Sequence, residues 1–416
     1  MMKKICFWGC LLPFLLFGRE LVVDYGRQVT GADGSREKPF ARFALAATKA
    51  KPGDTILILP SATPIRDSIQ VKDLSGTEEQ PIVVDGSHNI FIGSKPLERS
   101  QWQEVSPGLW KRSMKTGNNL VARYYMVWNG RMNRMGRFSK GSGSAPLIED
   151  EKLLKPGEWT VLDRSGLPLK DKTRFRAYDF FFRLPEGSSF EEAKIEEPDF
   201  HMVDGVACRG DCSYVTFRNI IVKNFFNDGF NIHGKCHHIR YENVAALYCG
   251  DDGVSAHEAC EIHMVNYAAV GCSTGICHIT SARCRHENVY IEKIAGRELS
   301  FHNSTANAVI RGAIRLISAD GCHLRNKEGE SQQCELENLA IRKETGAGKR
   351  AGFFINCRGT LELKASGVRL ENVTAGNAAK QAGIQNVSAG ELDAEIMKMR
   401  KEILFGACKV PENEIY

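Results

Sequence analysis

One spacing constrains this chain more than any other feature. The nine residues Asp228-Gly229-Phe230-Asn231-Ile232-His233-Gly234-Lys235-Cys236 align with Asp252-Gly253-Val254-Ser255-Ala256-His257-Glu258-Ala259-Cys260 at a constant offset of 24. Cys212, Cys236, Cys260 and Cys284 recur at the same interval. A second ladder runs through Asn219, Asn243, Asn266, Asn288, Asn338 and Asn372, with Ile220, Val244, Tyr267, Val289, Leu339 and Val373 following the rungs. Self-similarity at a fixed period is the signature of stacked repeats, each of which buries its apolar face only against its neighbours.

The local pattern decides what is stacked. Phe217, Ile220 and Val222, or Phe230 and Ile232, form short alternating apolar runs separated by Gly, Asn and Asp. Such runs are strands of a few residues joined by turns, not helices. The 39 glycines against 14 prolines fit many tight turns. A coil of about 24 residues holding two or three strands predicts an all-β solenoid, a right-handed parallel β-helix, over residues 205 to about 375. Stacking brings equivalent residues of successive coils to about 4.8 Å. Inward cysteines and asparagines would then form ladders, the cysteines as small buried hydrophobes and the asparagines by hydrogen-bonding along the turn stack. Free buried thiols are expected, with disulfides between neighbouring rungs as the alternative.

The rest of the chain reads as additions to this stack. Lys3 and Lys4 precede an apolar run, Ile5–Phe17, that is short for a membrane span. Residues 1–18 are therefore read as a cleaved signal peptide, and the expected location is secreted or periplasmic. No later segment is apolar enough to cross a membrane. Residues 19–97 are expected to carry an N-terminal cap and the first coils. Pro39–Lys51 would form an amphipathic helix burying Phe40, Phe43, Ala44 and Ala47, followed by strands at Thr55–Leu59 and Ile82–Val84. Residues 98–200 interrupt the period. They hold Trp102, Trp110, Trp128 and Trp159 and a hairpin-like Asn129-Gly130, and they predict an inserted β-rich subdomain. Residues 201–385 form the β-helix proper. In 386–416, Ser388 and Glu391 suggest a capping box for a helix bearing Leu392, Ile396, Met399 and Ile403. Caps are expected at both ends of an open stack. A formal net charge of +5 without clustered basic residues argues against nucleic acid as a partner. A monomer acting on carbohydrate is expected, with no cofactor.

Chemistry concentrates on two adjacent coils, at Asn227-Asp228-Gly229 and Gly250-Asp251-Asp252-Gly253. The period puts Asp228 in register with Asp252, and Asp251 lies beside them. Clustered carboxylates repel, so one takes up a proton or the group holds a cation. A protonated and an ionised carboxyl side by side is what glycoside hydrolysis requires. Asn231, His233, Ser255 and His257 would stack outward beside them, with Glu258 following.

On these residues the chain resembles the pectin-lyase-like β-helices, and most closely the polygalacturonase-type glycoside hydrolases. Asn227-Asp228-Gly229 and Gly250-Asp251-Asp252 match the first two motifs of that family, the former one residue short. The third position reads Ser273-Thr274-Gly275, without the family's histidine. The fourth reads Ile314-Arg315-Leu316-Ile317, keeping an arginine but not the lysine. The resemblance implies Asp251 or Asp252 as general acid, and Asp228 with the other as base. It implies His257, Glu258, Arg315, His233 and Asn231 as sugar contacts. Pro156-Gly157-Glu158-Trp159 and its surroundings are similar to insertions of β-helix exo-glycosidases that wall off one end of a cleft. Two alternatives share the fold. One is a Ca²⁺-dependent polysaccharide lyase, with the aspartates on the ion and Lys293 or Arg283 as base. The other is a non-catalytic glycan-binding β-helix.

Overall fold

A computed structural model of the chain describes residues 18–117, 121, 123–134, 148–165, 176–317, 320–376, 380 and 382–416. The expected signal peptide, residues 1–18, lies outside that set except for Gly18, as do parts of the 98–200 insertion. The body is a right-handed parallel β-helix. Among the described residues, its long sheet has 12 strands and its narrow sheet nine. The long sheet runs from Glu20–Val23 through Ser213–Lys223, His237–Leu247, Glu261–Val270, Arg283–Glu292 and Ala306–Leu316 to Gln385–Asn386. The narrow sheet includes Val206–Arg209, Phe230–Ile232, Asp252–Ala256, Thr274–His278, Arg297–His302 and Gly321–Asn326. Neighbouring strands of both sheets are parallel and follow one another by coil.

The asparagine ladder shows how each coil turns. Asn219, Asn243, Asn266 and Asn288 have φ of 55 or 56°, the left-handed region that asparagine tolerates better than most residues. Each sits in the middle of a long strand and drops out of the strand register, so the strand bends there into two arms. Their side-chain amides chain together, Asn243 to Asn219 at 3.1 Å, Asn266 to Asn243 at 2.8 Å and Asn288 to Asn266 at 3.0 Å. These rungs are half-buried on the bend rather than inward. The next rung is Arg311, also at φ 55°, whose guanidinium donates to the Asn288 Oδ1.

The cysteine ladder is inward. Cys212, Cys236, Cys260 and Cys284 are buried in one apolar core that extends from Leu21 to Ile384. All twelve described cysteines are free thiols. The glycines after Asp228 and Asp252 are demanded by packing between coils. A Cβ on Gly253 would lie 2.3 Å from the Tyr267 hydroxyl and 2.7 Å from the Gly275 carbonyl oxygen.

The attached segments differ from expectation in detail. The N-terminal helix is only Phe43–Ala47; it buries Phe43 and Ala46, leaving Ala44 exposed and Ala47 half-exposed. The C-terminal helix, Asp393–Met399 continued by a wider π-helical turn at Arg400–Ala407, does bury Leu392, Ile396, Met399 and Ile403. It lies against the outer face of the long sheet, on Ala245, Ala268, Tyr290, Ala313 and Ala340, rather than over the end of the stack. Small outward residues on successive coils make the flat bed it needs. The helix starts after Leu392, which has no side-chain cap, so Ser388 and Glu391 do not cap it; Glu391 instead accepts from the Ser388 amide in the preceding turn, where the Glu371 carboxylate accepts from the Gly390 and Leu392 amides.

The insertion builds two antiparallel sheets. One joins Gln103–Ser106, Leu109–Thr116, Trp159–Asp163 and Arg176–Arg183. The other joins Ser94–Pro96, Met126–Trp128, Arg131–Asn133 and Ile195–Pro198. Trp102, Trp110, Trp159, Phe180 and Phe182 fill its own core. Asn129-Gly130 is the expected hairpin turn, with both φ positive. Arg134 ties this unit to the body by donating to the carbonyls of Gly250, Cys249 and Gly271, and the Tyr125 hydroxyl donates to that of Asn224.

Candidate active site

Three successive coils of the narrow sheet each enter their strand through an Asp-Gly pair: Asp204-Gly205, Asp228-Gly229 and Asp252-Gly253. Strand register sets Val206 beside Phe230 and Phe230 beside Val254, so the three aspartates stack. The Asp252 amide donates to Asp228 Oδ1 at 2.9 Å, and the Asp228 amide to Asp204 Oδ1 at 3.3 Å. Asp204 is fully buried. It pairs with Arg209 at 2.7 Å and accepts from Asn227 at 2.8 Å and Asn231 at 3.1 Å. It supports the two aspartates above it.

Asp228, Asp251 and Asp252 are buried, and each offers a carboxylate oxygen within 4.8 Å of the others. Their electrostatics separate them. Burial, followed by the charges of Asp252, Asp204 and Asp251, pushes the Asp228 carboxyl well above the usual carboxylate range. Asn231 Nδ2 donates to its Oδ2 at 2.7 Å. Asp251 instead has a cation: Arg123 Nη2, from the insertion, lies 2.7 Å from its Oδ2. The turn bearing Asp251 is clamped from both sides, since a Cβ on Gly250 would lie 2.0 Å from the Phe226 carbonyl oxygen and 3.3 Å from that of Arg123.

These carboxylates floor a cleft of about 420 Å³ that runs along the narrow sheet. Outward residues stack in two files. Asn231, Ser255, Cys277 and Ser300 form one by register. His233, His257, Ile279, His302 and Arg325 line the cleft beside it. The files are cross-linked within a coil: Ser255 Oγ lies 2.8 Å from His257 Nε2, and Ser300 Oγ 2.7 Å from His302 Nε2. Arg297 is two coils beyond Asp252 through Thr274, which makes one end of the cleft acidic and the other basic.

Of the residues singled out in the sequence, Asp228, Asp251, Asp252, Asn231, His233 and His257 line this cleft. Glu258 sits at its rim, 3.1 Å from His233 Nδ1 and 3.2 Å from the Gly234 amide. Arg315 is elsewhere. It lies on the long sheet, where it donates to Glu292 at 2.6 Å and Glu344 at 2.8 Å. Its role is to neutralise Glu292, which is fully buried near the C-terminal helix. Lys293 donates to the Tyr416 carbonyl and Arg283 pairs with Glu261 on the long sheet, so neither faces the aspartates.

Sequence reasoning missed Asp204, Arg123, Arg297, His302 and Arg325. Asp204-Gly205 was legible, because it precedes Asp228-Gly229 by the same 24 residues. Ser300-Phe301-His302 likewise echoes Ser255-Ala256-His257. Arg123 carries no periodic signal, since the insertion does not repeat. Among the described residues, two groups have the donor sets and spacing to hold an ion: Asp228, Asp251 and Asp252, and His233, His257 and Glu258.

No family model matches this chain, and no curated protein matches it. Solved structures with a similar course include one described as a glycoside hydrolase, 11% identical with a TM-score of 0.42 over 92% of this chain and 98% of its own. A second is pectate lyase Pel9A, 12% identical with a TM-score of 0.40 over 91% and 84%. A third is XylC in complex with xylose, 10% identical with a TM-score of 0.37 over 90% and 86%. Likeness at this level concerns the course of the chain alone.

Proposed function

We propose that the chain is a glycoside hydrolase that cleaves a poly- or oligosaccharide lying along the narrow-sheet cleft. The observation that carries this reading is the unequal treatment of neighbouring carboxyls: Asp228 is buried among three others, while Asp251 is paired with Arg123. Asp228 then holds the proton that the leaving glycosidic oxygen needs, and Asp251 is the carboxylate that activates water or attacks the anomeric carbon. These roles reverse those implied by the family resemblance. Asp252 and Asp204 act through Asp228, by orienting it and by disfavouring its ionised form. The outward Asn231, Ser255, Ser300 and His302 offer the ladder of donors and acceptors that sugar hydroxyls require. The Lys3–Phe17 leader supports action outside the cytoplasm, and N-terminal sequencing of the mature protein tests it. No helix among the described residues is long and apolar enough to cross a membrane.

The closeness of the three carboxylates favours a second reading, a Ca²⁺-dependent lyase in which they hold the ion. Arg297, which faces the same cleft, would then be the base in place of Lys293 or Arg283. A reducing-sugar screen over plant, algal and host glycans, with and without chelator, decides between the readings. Sugar release that survives chelation, without a product absorbing in the near ultraviolet, is expected. Chelator-sensitive turnover with that absorbance establishes the lyase. Glycan binding without turnover removes both.

A further inference from the structure

We infer that His233, His257 and Glu258 form a binding site for a borderline divalent ion of the zinc class at the rim of the cleft, separate from the aspartates. Each residue offers one donor atom, and all three donors lie within 4.8 Å of one another. His233 Nδ1 and Glu258 Oε2 are already 3.1 Å apart. Two ligands bonded at about 2.0–2.1 Å in a tetrahedral site are about 3.3–3.4 Å apart. The His233 and His257 rings stack in parallel, 4.1 Å between centroids and 15° between planes, so bringing both lone pairs onto one ion requires one of these half-exposed rings to rotate out of the stack.

The supports of the three residues are fixed by the coil stack. Register places Asn231 beside Ser255, which sets His233 over His257. Ser255 Oγ holds His257 Nε2 at 2.8 Å, the kind of contact that orients a ligating imidazole through its second nitrogen. Glu258 has φ 53°, a left-handed conformation that costs a glutamate energy, and its carboxylate accepts from the Gly234 amide at 3.2 Å. Two imidazoles and one carboxylate suit zinc, nickel or cobalt rather than calcium, which takes oxygen ligands. His233 and His257 also line the cleft, so an ion held there would lie beside the substrate channel. Five residues of extended chain separate His257 from Asp252, about 16 Å, so the ion does not touch the carboxylates that do the proposed chemistry.

Titration of the chelator-treated protein with Zn²⁺ by calorimetry, and with Co²⁺ by visible absorption, tests the inference. The experiment is run in the parent and in an Asp228→Asn background, which disables the aspartate cluster. A Cys277→Ser background is also used, because Cys277 is a half-buried thiol in the cleft. One equivalent is expected to bind in all three, with a Co²⁺ spectrum lacking thiolate charge-transfer bands. His257→Ala and Glu258→Gln should each weaken binding by about 10- to 100-fold without changing the melting temperature of the ion-free protein. Absence of binding, binding lost with Asp228→Asn or Cys277→Ser, or affinity unchanged in His257→Ala and Glu258→Gln would each overturn it. Sugar release is a separate readout, so loss of this site and loss of the hydrolase reading are distinguishable.

Discussion

Arg123 Nη2 lies 2.7 Å from Asp251 Oδ2, across the boundary between the insertion and the β-helix. The repeat supplies the aspartates, but a segment outside the repeat supplies the cation paired with one of them. Arg123→Gln removes that cation, and with it the contact that positions the Asp251 carboxylate. The expected result is a drop in kcat/KM of about 10- to 100-fold, or roughly 1.4–2.8 kcal/mol of transition-state stabilisation. An unchanged kcat/KM would mean that Arg123 only anchors the insertion.

Asp228→Asn separates catalysis from stability. If Asp228 donates the proton, the variant loses about 10²–10⁴-fold in sugar release. The stability effect has the opposite sign. The folded-state pKa of Asp228 is raised above its unfolded value, so its contribution is fully present below the unfolded pKa and is lost as pH rises through the folded pKa. The neutral amide is free of that loss. Melting curves of parent and variant should therefore lie closest at acid pH and separate in favour of the variant as pH rises.

How far the sequence discloses this site depends on the stacking period. Asp228 and Asp252 are legible because a 24-residue coil places them in register, and Asp204 is equally legible on the same arithmetic. The long strands, the asparagine bends and the inward cysteines follow from the same period. Arg123 is not legible, since its position depends on tertiary docking of a non-repeating insertion. Arg315 shows the opposite error. A motif order borrowed from a resemblance assigned it to the sugar site, whereas strand register takes Asp252 through Thr274 to Arg297. The C-terminal helix was readable as a helix from its own apolar spacing. Its seat on the flank was not, because the bed beneath it, four alanines and Tyr290, comes from five different coils.

The core beneath the cleft carries an acid-sensitive pair. His278 and His286 are fully buried, with their Nε2 atoms 2.8 Å apart. Burial lowers the pKa of both, His286 from 6.5 to about 3. Both are neutral in the fold, so the stability they contribute is present above about pH 6.5 and is lost as pH falls towards 3. Each imidazole should contribute a slope of about 1.4 kcal/mol per pH unit in that window. His286→Leu should flatten the dependence of melting temperature on pH between 6.5 and 4.5 relative to the parent, even if it lowers stability at neutral pH. Parallel curves for the two proteins would show that the pair does not control acid unfolding.

Arg315 and Arg297 give a paired test of which arginine serves the cleft. Arg315 Nη1 is 2.6 Å from Glu292, a fully buried carboxylate that also meets Arg400 at 3.2 Å and the Tyr290 hydroxyl at 2.9 Å. Removing one partner of a buried ion pair leaves charge that neither water nor the remaining groups can fully compensate, at a cost of about 3–5 kcal/mol. Because Arg400 remains, Arg315→Gln should fall near the lower end of that range while the folded protein keeps its kcat/KM. Arg297 is half-exposed in the cleft, and its nearest acidic partner, Asp320, is 3.7 Å away. Arg297→Gln should leave the melting temperature nearly unchanged and lower kcat/KM, because the group it removes faces substrate rather than a buried counter-charge. Denaturant melts and steady-state kinetics on the two variants read the two effects separately. The opposite pattern, with activity lost at Arg315 and kept at Arg297, would restore Arg315 as the sugar contact and place substrate on the long sheet.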